Sequence, residues 1–125
     1  MTAWLKEDVP SDDCLLMRVH IRTHANKGRL STGAYKNHNL GMSTDWERYS
    51  TPEETRQRGR KVESEYGVVS MSVAAVRLVP GQTVEHAPLP ENRAHTEVFG
   101  EKDEEARVLL RRCSRRVIPP SVESA

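Results

Sequence analysis

Apolar positions along this chain gather in a few patterned stretches separated by polar ones. The first, Cys14-Leu15-Leu16-Met17-Arg18-Val19-His20-Ile21, opens continuously apolar and then alternates. Period-two geometry predicts a strand with Arg18 and His20 on one face and Met17, Val19 and Ile21 on the other. The stretch from Tyr66 to Leu78 starts as a strand in which Val69, Met71 and Val73 alternate with serines. Past Ala74, strand and helix both stay open. Thr83–His86 and His95–Phe99 read as short strands, with Pro80-Gly81 a turn and Pro88–Asn92 an extended connection. The final stretch predicts an amphipathic helix over 103–117, because Ala106, Leu109, Leu110, Cys113 and Val117 recur at helical spacing. Acids crowd its first turn and Arg111, Arg112, Arg115 and Arg116 its last, complementing the helix dipole, and Ile118-Pro119-Pro120 stops it.

Between the first two stretches, Arg22 to Ser50 is polar with no sustained period, and short strands are expected around Gly33–Lys36 and Gly41–Trp46. A polar segment this long is where a functional site is sought first. Thr51-Pro52-Glu53-Glu54 carries a capping-box signature, so a surface helix is expected over 52–60, with Gly59 at its fraying end. Together these elements predict one α+β domain over residues 14–118, a small mixed or antiparallel sheet covered by a C-terminal amphipathic helix. A polar lead-in (1–13) precedes it and a polar tail (119–125) follows.

Composition tempers this picture. Only 36% of the 125 residues are hydrophobic and 30% are charged, so the core should be modest and the surface heavily charged. No stretch approaches about 18 consecutive apolar residues, which excludes a membrane-spanning helix. The N-terminus turns acidic at once and reads as neither a secretory signal nor a transit peptide. With Cys14 and Cys113 expected as unpaired thiols, the chain reads as cytoplasmic. Net charge is +1 but unevenly spread: residues 18–61 carry a net +6 and residues 62–105 a net −6. The basic half could face an anionic partner such as nucleic acid; solvated or mutually facing halves account for the split as well.

Candidate chemistry is sparse. His20-x-x-x-His24 has a metal-ligand spacing, but its first histidine sits on a strand, and no metal or cofactor is predicted. Asp45 and Glu47 would share a strand face, with Trp46 turned inward as an anchor. The most suggestive set joins Arg18 and His20 to the glycine-flanked loop carrying Arg29, Ser31, Tyr35 and Lys36. Guanidinium forks and approachable backbone N–H groups are what a phosphate or dinucleotide requires. His95 and Glu97 again share a strand face and could supply acid or base. The predicted catalytic residues are therefore His20, His95 and Glu97, and the predicted ligand-binding residues Arg18, Arg29, Ser31, Tyr35 and Lys36.

The strings Leu16-Met17-Arg18, Gly28 to Lys36, Met42 to Glu47, Thr51 to Glu54 and Pro90 to Lys102 resemble a group of small uncharacterised bacterial proteins. The portion Arg18…Arg29-x-Ser31 is similar to the opening of RES-type, NAD-consuming ADP-ribosyltransferase-like toxins, in which case Tyr35 and Glu97 are the candidates for that family's Tyr and Glu. Two functions follow as expectations. The first is a small accessory protein, of the kind found in defence or toxin operons, that binds a protein or nucleic-acid partner. The second is an enzyme acting on NAD or a nucleotide through an Arg/His/Ser cleft.

Overall fold

A computed structural model describes residues 4–20, 25–26, 29–38, 40–59 and 65–118. Among them the order is β1 (Cys14–His20), β2 (Ala25–Asn26), β3 (Arg29–Leu30), a 3-10 turn (Thr32–Ala34), β4 (Met42–Trp46) and α1 (Pro52–Gln57). There follow β5 (Tyr66–Ser72), α2 (Val73–Leu78), β6 (Thr83–His86), β7 (His95–Phe99), α3 (Glu104–Arg112) and β8 (Ser114–Ile118). Six strands form one antiparallel sheet in the order β6-β7-β4-β1-β5-β8, while β2 and β3 pair separately. The chain is thus a small α+β domain. No helix among the described residues is long and apolar enough to cross a membrane.

The alternation in β1 sets the layering. Leu15, Met17 and Val19 join Val69, Met71, Met42, Trp46 and Val98 in one buried apolar cluster, completed by Val73 and Val76 of α2 and by Ala106 and Leu110 of α3. Leu16, Arg18 and His20 point to the opposite face. Register carries that division across the sheet: Leu15 stands opposite Trp46 on the core face, and Leu16 opposite Asp45 on the polar face. On β4 and β7 the polar-face pairs are Ser43 with Glu97 and Asp45 with His95. Trp46 is the inward anchor its sequence position implied; it is fully buried, and its indole N–H donates to Asp13 Oδ2 at 2.8 Å.

Local signals explain most boundaries. Thr51 caps α1 through a complete capping box, its Oγ1 accepting from Glu54 N–H at 3.1 Å while Glu54 Oε1 accepts from Thr51 N–H at 2.9 Å. The open stretch past Ala74 is settled by Ser72, whose hydroxyl accepts from Ala75 N–H and starts α2. At Gly100 the backbone turns through a φ of +131°, and a Cβ there would meet Gly81 O at 2.3 Å, so only glycine fits. The N-terminal segment is tied down: Val9 is buried, and Arg77 donates to Val9 O and Ser11 Oγ, each at 2.7 Å.

Three expectations need correction. The terminal helix does not run over 103–117 but stops at Arg112, and Ser114–Ile118 becomes β8, paired with β5. Val117 and Ile118 are β-branched, the residue before Pro119 resists helical angles, and the outer edge of β5 offers unpaired backbone groups. Together these outweigh another helical turn. Only Ala106 and Leu110 of the expected stripe are buried on α3, while Leu109 and Cys113 are partly buried. Gly33–Lys36 is not a strand: Ser31 caps a 3-10 turn by accepting from Gly33 N–H at 3.0 Å. Pro88–Asn92 is not simply extended either, since Leu89 and Asn92 exchange backbone bonds at 3.0 Å and close a turn.

Candidate functional site

The polar sheet face is divided in two. Helix α1 packs against β1, β5 and β8, leaving the β1/β4/β7 portion open as a cleft of about 1100 Å³. Its depth has a backbone cause. β1 and β5 form seven rungs, but β1 and β4 only two, ending at Leu16 and Asp45. Beyond that rung the strands pair no further, and buried Met17, Met42 and Ala34 line the cleft between them. Arg18, His20 and Tyr66 form one wall, and Ser43, Asp45, His95 and Glu97 the other. Leu40 and Leu89, 71% and 38% exposed, stand at the rim.

Arg18 is half-buried, and its Nη1 donates to the Thr55 carbonyl at 2.9 Å. That acceptor is neutral, and no carboxylate among the described residues lies within ion-pair distance of the guanidinium. Its charge is therefore held in place but not cancelled. His20 contacts Glu65 through Nε2 at 3.1 Å and packs edge-on against Tyr66 at 5.3 Å between centroids. Its Nδ1 is buried without a hydrogen-bond partner, a costly condition in a folded protein. Across the cleft, Glu97 Oε1 accepts from Gly41 N–H at 2.9 Å, and its other oxygen lies 3.8 Å from His95 Nε2. The backbone bond orients the carboxylate, which faces the imidazole beyond hydrogen-bond distance.

Between these groups sits a structural knot. Asp45 is buried and accepts from Thr55 Oγ1 at 2.8 Å, Arg58 Nη1 at 2.7 Å and Asn92 Nδ2 at 2.9 Å. Arg58 thus spends its charge on Asp45, which leaves Arg18 as the uncompensated cation of the two guanidiniums in the lining. Asp45 is not partnered with Glu47, which is exposed beyond the end of β4.

The structure therefore brings together four of the eight residues selected from sequence: Arg18, His20, His95 and Glu97. Ser31 is occupied as the cap of the 3-10 turn, and Lys36 is exposed outside the cleft lining. Tyr35 is fully buried, with its hydroxyl 2.5 Å from Ser114 Oγ; burial pushes its pKa up to about 12 against the pull of that hydrogen bond. The Arg29 side chain and His24 lie outside what the structure describes. Asn92 and Arg58 are not among the residues selected from sequence, since Arg58 falls on a helix expected at the surface and Asn92 in a connection, and neither position signals a contact with Asp45. Cys14 and Cys113 are free and partly buried, and burial raises the Cys113 thiol above its ordinary range. The described residues hold no cluster of three or more metal-ligating side chains.

Tyr66 depends on a glycine. A Cβ at Gly59 would come within 2.2 Å of its ring, so the residue expected at a fraying helix end in fact makes room for a cleft wall. Gly59→Ala is expected to lower stability by about 1–3 kcal/mol through overpacking. A urea titration showing an unchanged midpoint would contradict this.

No family model, curated protein or solved structure matches the chain.

Proposed function

We propose that the cleft binds a phosphate-bearing small molecule of the nucleotide class, NAD included, and that the protein acts on it by acid–base catalysis. The observation that carries this reading is the uncompensated Arg18 guanidinium, fixed by a neutral carbonyl in a cleft whose opposite wall holds His95 and Glu97. An anion placed there gains charge-assisted hydrogen bonds from a donor already oriented for it. Met17, Met42 and Ala34 offer apolar surface of the sort that receives a base or ring. In this reading Arg18 holds the phosphate, and His95, with Glu97 beside it, moves the proton.

Calorimetric titration with NAD, ATP and inorganic phosphate tests it. Arg18→Ala is expected to weaken phosphate-ligand binding at least about tenfold, the equivalent of ~1.4 kcal/mol. His95→Ala should keep binding and lose turnover. Absence of binding by all three ligands, or equal binding by Arg18→Ala, would end the proposal.

A second reading, a non-catalytic accessory protein that docks a protein partner, draws its support from the exposed Leu40 and Leu89 at the cleft mouth. It requires Leu40→Ser to abolish partner capture while leaving nucleotide binding intact.

A further inference from the structure

We infer that the outer edge of β8 is a binding surface for the phosphate backbone of a nucleic acid. Four arginines fall within six residues here: Arg111 and Arg112 end α3, and Arg115 and Arg116 lie on β8. All four are exposed. Among the described residues β8 is the last strand of the sheet, paired only with β5. Arg115 stands opposite Ser70 and Arg116 opposite Val69, so the pair projects to both sides of the edge.

None of the four lies within ion-pair distance of a carboxylate among the described residues. Arg111 alone makes a hydrogen bond, a long one to Leu30 O at 3.4 Å. Helix α1, which also touches β8, offers no relief: Glu53 is paired with Arg56 at 2.6 Å, and Glu54 closes the capping box. The helix dipole accounts for Arg111 and Arg112, which end α3, but not for the two arginines beyond its end. Protection of an edge strand from aggregation needs only a charge or two and is served as well by lysine. Four clustered arginines concentrate positive charge that a polyanion can meet.

Charge complementarity selects the occupant. A second copy of the chain would set arginine against arginine. A phosphodiester backbone presents repeated negative charge that meets guanidinium forks on both sides of the edge, with no apolar anchor required. The described cations of the basic half 18–61 form no such cluster: Arg18 is half-buried in the cleft and Lys36 stands apart from it. Arg56 and Arg58 are paired with acids, and Arg48 lies over the Trp46 and Tyr49 rings.

The test uses the full chain and a fluorescein-labelled oligothymidylate of about 20 nucleotides, followed by anisotropy from roughly 50 to 200 mM salt. Binding should weaken with salt at about 0.7 log units per phosphate contact per log unit of salt. The triple variant R112A/R115A/R116A should lose at least about tenfold in affinity and flatten that slope by about 2. Arg18→Ala, altered only in the cleft, should bind as the parent does, which separates this surface from the site proposed above. Should the triple variant melt early, Arg112→Glu at the exposed helix end should still weaken binding and flatten the slope by about 0.7. No binding at low salt, parental binding by a well-folded triple variant, or preference for polyglutamate over DNA would each overturn the inference.

Discussion

Replacing Asp45 with alanine is expected to destabilise the domain by about 3–5 kcal/mol, the range for removing one partner of a buried ion pair. The carboxylate has almost no exposure and accepts from three elements at once: Thr55 on α1, Arg58 just after it and Asn92 in the β6–β7 connection. Its loss strands a guanidinium, an amide and a hydroxyl in a poorly solvated place. The hydroxyl of Ser50 keeps partial contact with Arg58 and Thr55, at 2.7 and 2.8 Å, and softens the effect. Because Arg18 is anchored on the Thr55 carbonyl, the same change should also loosen the cleft wall. Urea unfolding measures the first effect, and ligand titration of the surviving folded fraction the second. A loss below about 1 kcal/mol would show the knot to be solvated rather than structural.

Lys102 should make stability depend on pH in an unusual direction. Its side chain is buried, and its ammonium donates to Asn37 Oδ1 at 2.7 Å, Val98 O at 2.9 Å and Gly100 O at 3.0 Å, with no carboxylate among these contacts. Burial pushes its pKa down from 10.5 to about 8. The unfolded chain then binds the proton more tightly than the folded one, so folding is penalised below about pH 8. The penalty is relieved as pH rises from about 8 towards 10.5. A shift of this size corresponds to something on the order of 3 kcal/mol, at about 1.4 kcal/mol per unit. Other groups titrate in the same window, so the readout is a difference: the parent's advantage over Lys102→Met should grow with pH across it. A parallel pair of pH–stability curves would refute the assignment.

The site was legible only in halves. Period-two alternation placed Arg18 with His20 and His95 with Glu97, because a strand's side chains alternate whatever the strand packs against. That the two pairs share one cleft depends on β4 lying between β1 and β7, a matter of strand order that no local pattern encodes. The loop carrying Ser31, Tyr35 and Lys36 looked suited to phosphate from residue types alone. Its glycine and serine instead build a 3-10 turn, and its tyrosine fills the core.

What the sequence determined by itself was whatever short-range chemistry decides: the strand at Cys14–His20, the capping box at Thr51 and Glu54, the inward Trp46, and the start of the last helix at Asp103. Where that helix ends was decided by the tertiary structure. Residues 113–117 fit the helical stripe in spacing and charge, yet the free edge of β5 lay within reach and claimed Ser114–Ile118 as a strand. Backbone pairing with a distant neighbour outcompeted a local preference worth only a few tenths of a kcal/mol per residue. The same competition moved Arg115 and Arg116 from an expected helix terminus to the edge of a sheet.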